Sequence, residues 1–238
     1  MKLKVKKLIP FLMIAGLIIG MSSCQKDYYK DYGVHDPHYD GTVLDYLKSR
    51  PELFDTLVQV IHLAGMDDVF ESNEITFFAP GDTSIERSLN FLNRTLYREG
   101  KDTVSKLSQI SPDVWREELS LYLFKGKHLL GDYPQLDLSE KVAFGGQYYT
   151  SYGGRSMNIG VVYHNAGGVE YAGYRELMIS YIPSLASPLN AWFTTEVASV
   201  NIQPTNGVIH ALRFTNHYFG FSVFHFMQNA QEQGIGKP

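Results

Sequence analysis

The chain has 238 residues, 44% hydrophobic and 19% charged, with 21 basic residues against 25 acidic ones for a formal net charge of −4. That length suffices for one domain of ordinary size with its own core. A single cysteine excludes an internal disulfide framework, and the acidic balance excludes a surface that attracts nucleic acid or anionic lipid.

Met1 to Lys7 carries four lysines and no acid, and Leu8 to Gly20 is apolar apart from Pro10. A basic segment ahead of a 13-residue apolar run has the plan of a signal peptide, since a spanning helix needs about 20 residues. Met21-Ser22-Ser23-Cys24 follows and resembles a lipobox. The resemblance implies that the Cys24 thiol is alkylated by a diacylglycerol, that residues 1–23 are removed, and that the new amine is acylated. The alternative is an ordinary secretory peptide cut near Ser23, leaving a lone thiol. Two or three acyl chains anchor stably, whereas one is marginal. Gln25 beside the cysteine resembles outer-membrane sorting, and Lys26-Asp27 resembles in part the export signal of Bacteroidota cell-surface lipoproteins. Without residues 1–23 the chain keeps 215 residues, 17 basic and 25 acidic, and a net charge of −8.

Residues 24–40 are polar and tyrosine-rich without apolar periodicity, and read as a flexible tether. His35 and His38 lie in it at a spacing able to share a metal, but no third ligand is near, so no metal or other cofactor is expected. Helical signals dominate the next hundred residues. Thr42 opens a first helix. Ser49-x-x-Glu52 has capping-box spacing ahead of the stripe Leu53, Leu57, Ile61, which Gly65 stops. Ile75–Ala79 is a short buried strand closed by Pro80. Asp82 or Thr83 caps the helix carrying Ile85, Leu89 and Leu92. Ser111-Pro112 starts a helix with Trp115, Leu119, Tyr122 and Leu123 inward, ended by Gly126.

Beyond Lys141 the pattern turns to strands at Val142–Tyr149, Met157–Tyr163, Leu177–Ile182 and Val197–Ile202, separated by paired glycines and Pro183. Asn206-Gly207 reads as a hairpin turn, because both residues tolerate positive φ. Helices first and strands later define an α+β fold, with N-terminal helices packed on a β-sandwich of antiparallel-rich sheets.

Two segments together resemble the fasciclin (FAS1) family. Ile75-Thr76-Phe77-Phe78-Ala79-Pro80-Gly81-Asp82 is similar to its first signature, and Asn206-Gly207-Val208-Ile209-His210-Ala211-Leu212 to its second. The resemblance implies a domain over residues 41–220, leaving 221–238 as a C-terminal extension. It also implies an extracellular adhesion role. Phe78, Pro80, Asp82, Asn206, Gly207 and His210 read as markers of the fold, with His210 bonded to a buried partner. The adhesive Tyr-His pair of animal members corresponds to Leu121-Tyr122, so that mode is lost.

No hydrolase elbow, zinc-helix motif, phosphate loop or cysteine-based site stands in the mature chain. The feature closest to a binding site is aromatic. Seven of the 16 tyrosines fall between Tyr148 and Tyr181, interleaved with glycines. Aromatic rings stack on sugars and anchor interfaces, although cross-strand packing explains tyrosine on strands equally well. Tyr148, Tyr152, Tyr171, Tyr174 and Trp192 are the candidate ligand residues. The expected protein is a non-catalytic lipoprotein on the outer membrane, held through lipid on Cys24 and capturing polysaccharide. The alternatives are docking to another envelope protein and, third, an unrecognised hydrolase.

The anchoring expectation is tested by Cys24→Ser. The variant should leave the membrane fraction for the soluble one in cell fractionation, and retention equal to wild type overturns it.

Overall fold

The computed structural model describes residues 36–184 and 191–236, so Cys24 and His35 lie outside the described residues. Strand β1 (His38–Tyr39) opens the fold and pairs in parallel with residues 203–204, so the domain takes in the last residues assigned to a tether. Tyr39 holds this start in place by packing edge-on against Tyr46 at 5.3 Å.

Helix α1 (Val43–Lys48) begins with a reciprocal capping box. The Thr42 hydroxyl accepts the Asp45 N–H at 3.2 Å, and the Asp45 carboxylate accepts the Thr42 N–H at 2.9 Å. Helix α2 (Pro51–Leu63) lacks the expected Ser49–Glu52 box. Ser49 instead closes α1, donating its hydroxyl to the Tyr46 carbonyl at 2.7 Å, and Arg50 stands at the N-cap of α2. After α3 (Asp67–Ser72) and β2 (Ile75–Ala79), helix α4 (Asp82–Arg98) starts from Gly81 without a side-chain cap. Asp82 has a different task from the one expected. Its carboxylate accepts the backbone N–H groups of Thr56 at 3.0 Å and Leu57 at 2.9 Å, clasping α4 to α2. Pro80, buried at the end of β2, has no N–H to continue the ladder.

Helix α5 (Pro112–Leu119) starts at Ser111-Pro112 as its sequence requires, but stops before Gly126. A 3-10 turn over Ser120–Tyr122 delivers β3 (Leu123–Lys125), and Gly126, at φ 83°, ends that strand. Apolar spacing cannot separate these residues from the helix, because they are buried in either conformation. The remaining elements are β4 (Gln135–Leu136), β5 (Gln147–Thr150), β6 (Ser156–Tyr163), β7 (Arg175–Tyr181), β8 (Phe193–Pro204), β9 (Gly207–Leu212) and α6 (Val223–Gln233). The strand expected from Val142 starts only at Gln147; Val142 is 90% exposed, in a turn. Within the expected C-terminal extension, residues 221–236 are no appendage either, since Phe226 and Ala230 of α6 are fully buried and Phe226 packs 5.8 Å from Trp115.

The strands form one curled mixed sheet in the order β3-β2-β9-β8-β7-β6-β4, with β1 on β8 and β5 on β6. Long β8 joins its two halves. Its first residues pair with β7, and register shifts between Val197 and Ile202 then turn it onto β9. Such irregularities bend a strand, and Asn201 within this one takes φ 60°.

The two family-like segments meet here. β2 and β9 pair in parallel from Ile75–Gly207 to Ala79–Ala211, and every residue of both strands is buried. Alternate residues point to opposite faces. Phe77 meets Phe70 of α3 at 4.9 Å, whereas Phe78 and His210 face the other half of the sheet, where Tyr133 lies about 6 Å from each. Burial on both faces explains why these strands read as largely apolar runs, interrupted only by Thr76 and His210.

Asn206-Gly207 is not a positive-φ turn; neither residue has positive φ. Thr205 and Asn206 link β8 to β9, and the Asn206 side chain ties three elements together. It accepts the Val43 N–H at 2.8 Å and donates to the Phe70 and Asn73 carbonyls, both at 3.0 Å. Gly207 is required by close approach, because a Cβ there would lie 2.5 Å from the Ile75 carbonyl oxygen and 2.8 Å from Val43. Asn206→Ala is expected to cost about 2–4 kcal/mol by leaving three backbone groups unpaired. Urea unfolding measures it, and a change below about 0.5 kcal/mol overturns the assignment.

Candidate functional site

A polar cleft lies where two connections converge at one end of β6. The first follows β4. Asp137 turns it sharply, its carboxylate accepting the Ser139 N–H at 2.9 Å and hydroxyl at 2.6 Å, an arrangement that aspartate forms readily after a strand. The second joins β6 to β7. It carries a small hairpin in which Ala166 and Val169 exchange backbone bonds around Gly167 and Gly168, at φ 58° and 79°. Between them opens a cavity of about 490 Å³, with Asp137, Ser139 and Glu140 on one side, His164, Asn165, Glu170 and Tyr171 on the other, and the paired Leu136 and Val162 between.

Tyr171 fastens the two sides. Its hydroxyl donates to Asp137 at 3.1 Å, and its ring meets Phe144 at 5.6 Å. The backbone at Tyr171 is left-handed, φ 59°, a costly conformation for a residue with a Cβ. Two bonds hold it there. Its N–H donates to Asn165 Oδ1 at 2.8 Å, and its carbonyl accepts from Arg175 at 3.1 Å. His164 stacks face to face on Tyr174 at 3.9 Å and pairs with buried Glu176 at 2.8 Å, which Arg213 holds from its other oxygen at 3.1 Å. Tyr174 itself is 66% exposed, widening the aromatic surface at the margin.

The cleft is electronegative. Hydrogen bonds from Ser139 hold the Asp137 carboxyl below the usual carboxylate range. The bond to Asp137, with the charges of Glu170 and Glu140 nearby, pushes the Tyr171 hydroxyl up. Among the described residues, no group of three His, Cys, Asp or Glu side chains is placed to hold a metal ion, and no helix is long and apolar enough to cross a membrane.

The five aromatic candidates do not form one platform. Tyr171 lines the cleft and Tyr174 borders it through His164. Tyr148 points outward from β5, opposite Asn158, while its neighbour Tyr149 points inward to Phe124 and Tyr133. Tyr152 belongs to the other half of the sheet, its N–H donating to Leu123 of β3. Trp192 is not among the residues lining the cleft and lies beneath the Lys141 ammonium, 4.4 Å from its ring centre. Asp137, His164 and Asn165 carried no sequence signal, since single polar residues in two separate loops have no periodicity or motif.

His210 is fully buried on β9. It accepts the Asn201 N–H through Nδ1 at 3.3 Å and donates from Nε2 to the His128 carbonyl at 3.0 Å. Tyr122 does meet a histidine, 95 positions away. Its hydroxyl donates to His217 Nε2 at 2.8 Å, but both side chains are buried and face no partner.

No protein-family model matches the chain, and no curated protein does. Among solved structures it is similar to a FAS1 domain pair from the insect cell adhesion molecule fasciclin I. The two are 16% identical, the match covers 72% of this chain and 49% of that one, and the TM-score is 0.46. The chain thus spans about half the length of that structure. The likeness is distant.

Burial pushes His210 down to about 4 and His217 to about 3, so both are neutral in the folded state at neutral pH. The unfolded chain protonates them near pH 6.5 and therefore binds more protons below that value. The stability they support is complete above pH 6.5 and is lost as pH falls toward 4 and then 3. Urea midpoints measured from pH 7 to pH 4.5 should decline steadily, and His210→Gln should flatten the decline; a pH-independent midpoint overturns this.

Proposed function

We propose that this chain is a lipid-anchored, non-catalytic module of the bacterial cell envelope whose domain captures neutral polysaccharide in the Asp137–Tyr171 cleft. One observation carries the reading. A pre-formed cavity of about 490 Å³ combines acceptor-rich polar side chains with Tyr171 and, at its margin, the His164–Tyr174 stack. Carboxylates and amides at fixed positions match the hydroxyls of a sugar ring, while an aromatic edge covers its apolar face. The clustered acids favour neutral or amine-bearing sugars over uronates. Lipid on Cys24 would place this cleft at the membrane that such polymers approach.

The same acids invite comparison with a hydrolase. A glycosidase needs one carboxyl kept protonated and a second facing it across the scissile bond. Asp137 has the opposite environment, because the hydrogen bonds it accepts stabilise its charge. The carboxyl that burial does raise, Glu118, is enclosed between α5 and α6, bonded to His225 at 2.9 Å and Asn229 at 3.0 Å, far from any opening of this cleft. Binding without turnover is the reading these environments favour.

Affinity gels and calorimetry against a panel of neutral glycans should reveal a binder. Tyr171→Ala should abolish the signal, Glu170→Gln should weaken it several-fold, and Tyr152→Ala should leave it intact. No binding across the panel, or an unchanged response from Tyr171→Ala, overturns the proposal.

A further inference from the structure

The connection from β9 to α6 packs against α4 and the start of β8, and a groove of about 430 Å³ opens between them. Phe91 of α4, Phe193 of β8, Phe221 of the connection and Phe224 of α6 give it aromatic walls. Phe91 meets Phe224 edge to face at 5.3 Å. Phe224 is 63% and Phe193 39% exposed, so two large apolar rings stand at the opening in contact with solvent. Phe221 takes a left-handed φ of 64°, costly for a bulky side chain, and its ring is held by stacking on Tyr122 at 4.7 Å.

His217 supplies the polar feature. It is 4% exposed, too deep to meet a macromolecule, yet it lines the groove. The bonds behind it fix its proton. Tyr122 Oη accepts the Gly220 N–H at 2.8 Å, so the hydroxyl hydrogen goes to His217 Nε2, also at 2.8 Å. Burial keeps the imidazole neutral, with its pKa pushed down to about 3. A neutral imidazole whose Nε2 accepts carries its hydrogen on Nδ1. Nδ1 has no hydrogen-bond partner among the described residues, and it is not one of the polar atoms sealed from solvent. The groove is the opening that His217 lines, so the Nδ1 hydrogen is presented there. Donors held this deep in a folded protein are nearly always paired, and this one is left for an acceptor from outside.

The charge balance selects that acceptor. No residue lining the groove carries a charge. The nearby Arg87 is engaged in holding the connection, donating to the Phe214 carbonyl at 3.2 Å and the His217 carbonyl at 2.7 Å. A carboxylate or phosphate would lose its hydration here without gaining a counter-ion, and an ammonium would meet a donor instead of an acceptor. An uncharged carbonyl remains. Phenyl rings set at several angles favour a planar ring, which they can meet both edge-on and face-on. We propose that this groove binds an uncharged aromatic ketone, its carbonyl oxygen accepting from His217 Nδ1 and its ring lying between Phe91, Phe193 and Phe224. The site stands apart from the Asp137–Tyr171 cleft and does not depend on the role proposed for it.

The test is an NMR titration of the full chain, isotope-labelled and purified in mild detergent, with matched probes. These are 2-acetylnaphthalene, 2-ethylnaphthalene, which has a similar shape without an acceptor, and 2-naphthoate, which is charged. The ketone should give saturable shifts of the Thr194 and Val223 methyls. The ethyl analogue should bind about tenfold more weakly, the worth of one hydrogen bond, and naphthoate should not bind. His217→Phe should bring the ketone and the ethyl analogue to equal affinity. Phe224→Ala, at an exposed position, should weaken ketone binding several-fold without lowering the melting temperature, and it decides the matter if His217→Phe does not fold. The inference is overturned by an absence of saturable shifts, by equal affinity of the wild type for ketone and ethyl analogue, by full binding to Phe224→Ala, or by shifts confined to residues around Tyr171. Shifts of the same methyls that grow with protein concentration in the ligand-free chain would assign the groove to a second copy and overturn it as well.

Discussion

The domain is organised around the parallel pairing of β2 with β9. Two strands about 130 positions apart in the chain lie side by side with both faces covered, helices on one side and the other half of the sheet on the other. A strand in that position has no solvent to satisfy its backbone, so its ladder must be complete and its ends closed. Asn206 closes one end, carrying hydrogen bonds to the start of α1 and the region from α3 to β2. Gly207 lets the strands approach at that point, where any side chain would strike the Ile75 carbonyl.

From this centre the two layers follow. On the helical side, Asp82 binds α4 to α2 through backbone amides, and Trp115, Phe219 and Phe226 pack α5 against α6. On the opposite side, bent β8 carries the sheet around until Tyr133 and Tyr149 face Phe78, Phe124 and His210. His210 is the polar member of this apolar layer, and its two backbone bonds allow a neutral imidazole to stay there. The cleft is built outside this core, on connections that follow short β4 and leave β6. Its walls depend on Asp137, Asn165 and Tyr171 for shape, so the residues that would meet a ligand are also those that set the loops. Pre-organisation of this kind reduces the ordering cost of binding.

Several devices were legible in the chain but assigned the wrong task. Ser49 and Glu52 have capping-box spacing, yet Ser49 is taken by the end of α1, a competition that spacing cannot reveal. Asp82 precedes a helix and resembles its cap, but α2 presents amide donors to it from across the fold. Asn206-Gly207 has the composition of a turn with positive φ, and serves instead as a side-chain tie and a point of close approach. In each case a local rule was overridden by a partner distant in sequence. The aromatic residues followed the same logic. Adjacent Tyr148 and Tyr149 lie on opposite faces of β5, so their clustering in the chain does not translate into one surface.

The sequence by itself determined the class of the chain: a basic and then apolar N-terminal segment followed by a lone cysteine, amphipathic helices early, and strands late. These are statements about composition and period, which neighbouring residues fix among themselves. Only the tertiary structure decided that β1 and α6 belong to the domain and that the cleft draws on Asp137, His164 and Tyr171. Hydrogen-bond complementarity depends on which groups meet in space, and residues from separate loops acquire it only when the fold has closed around them.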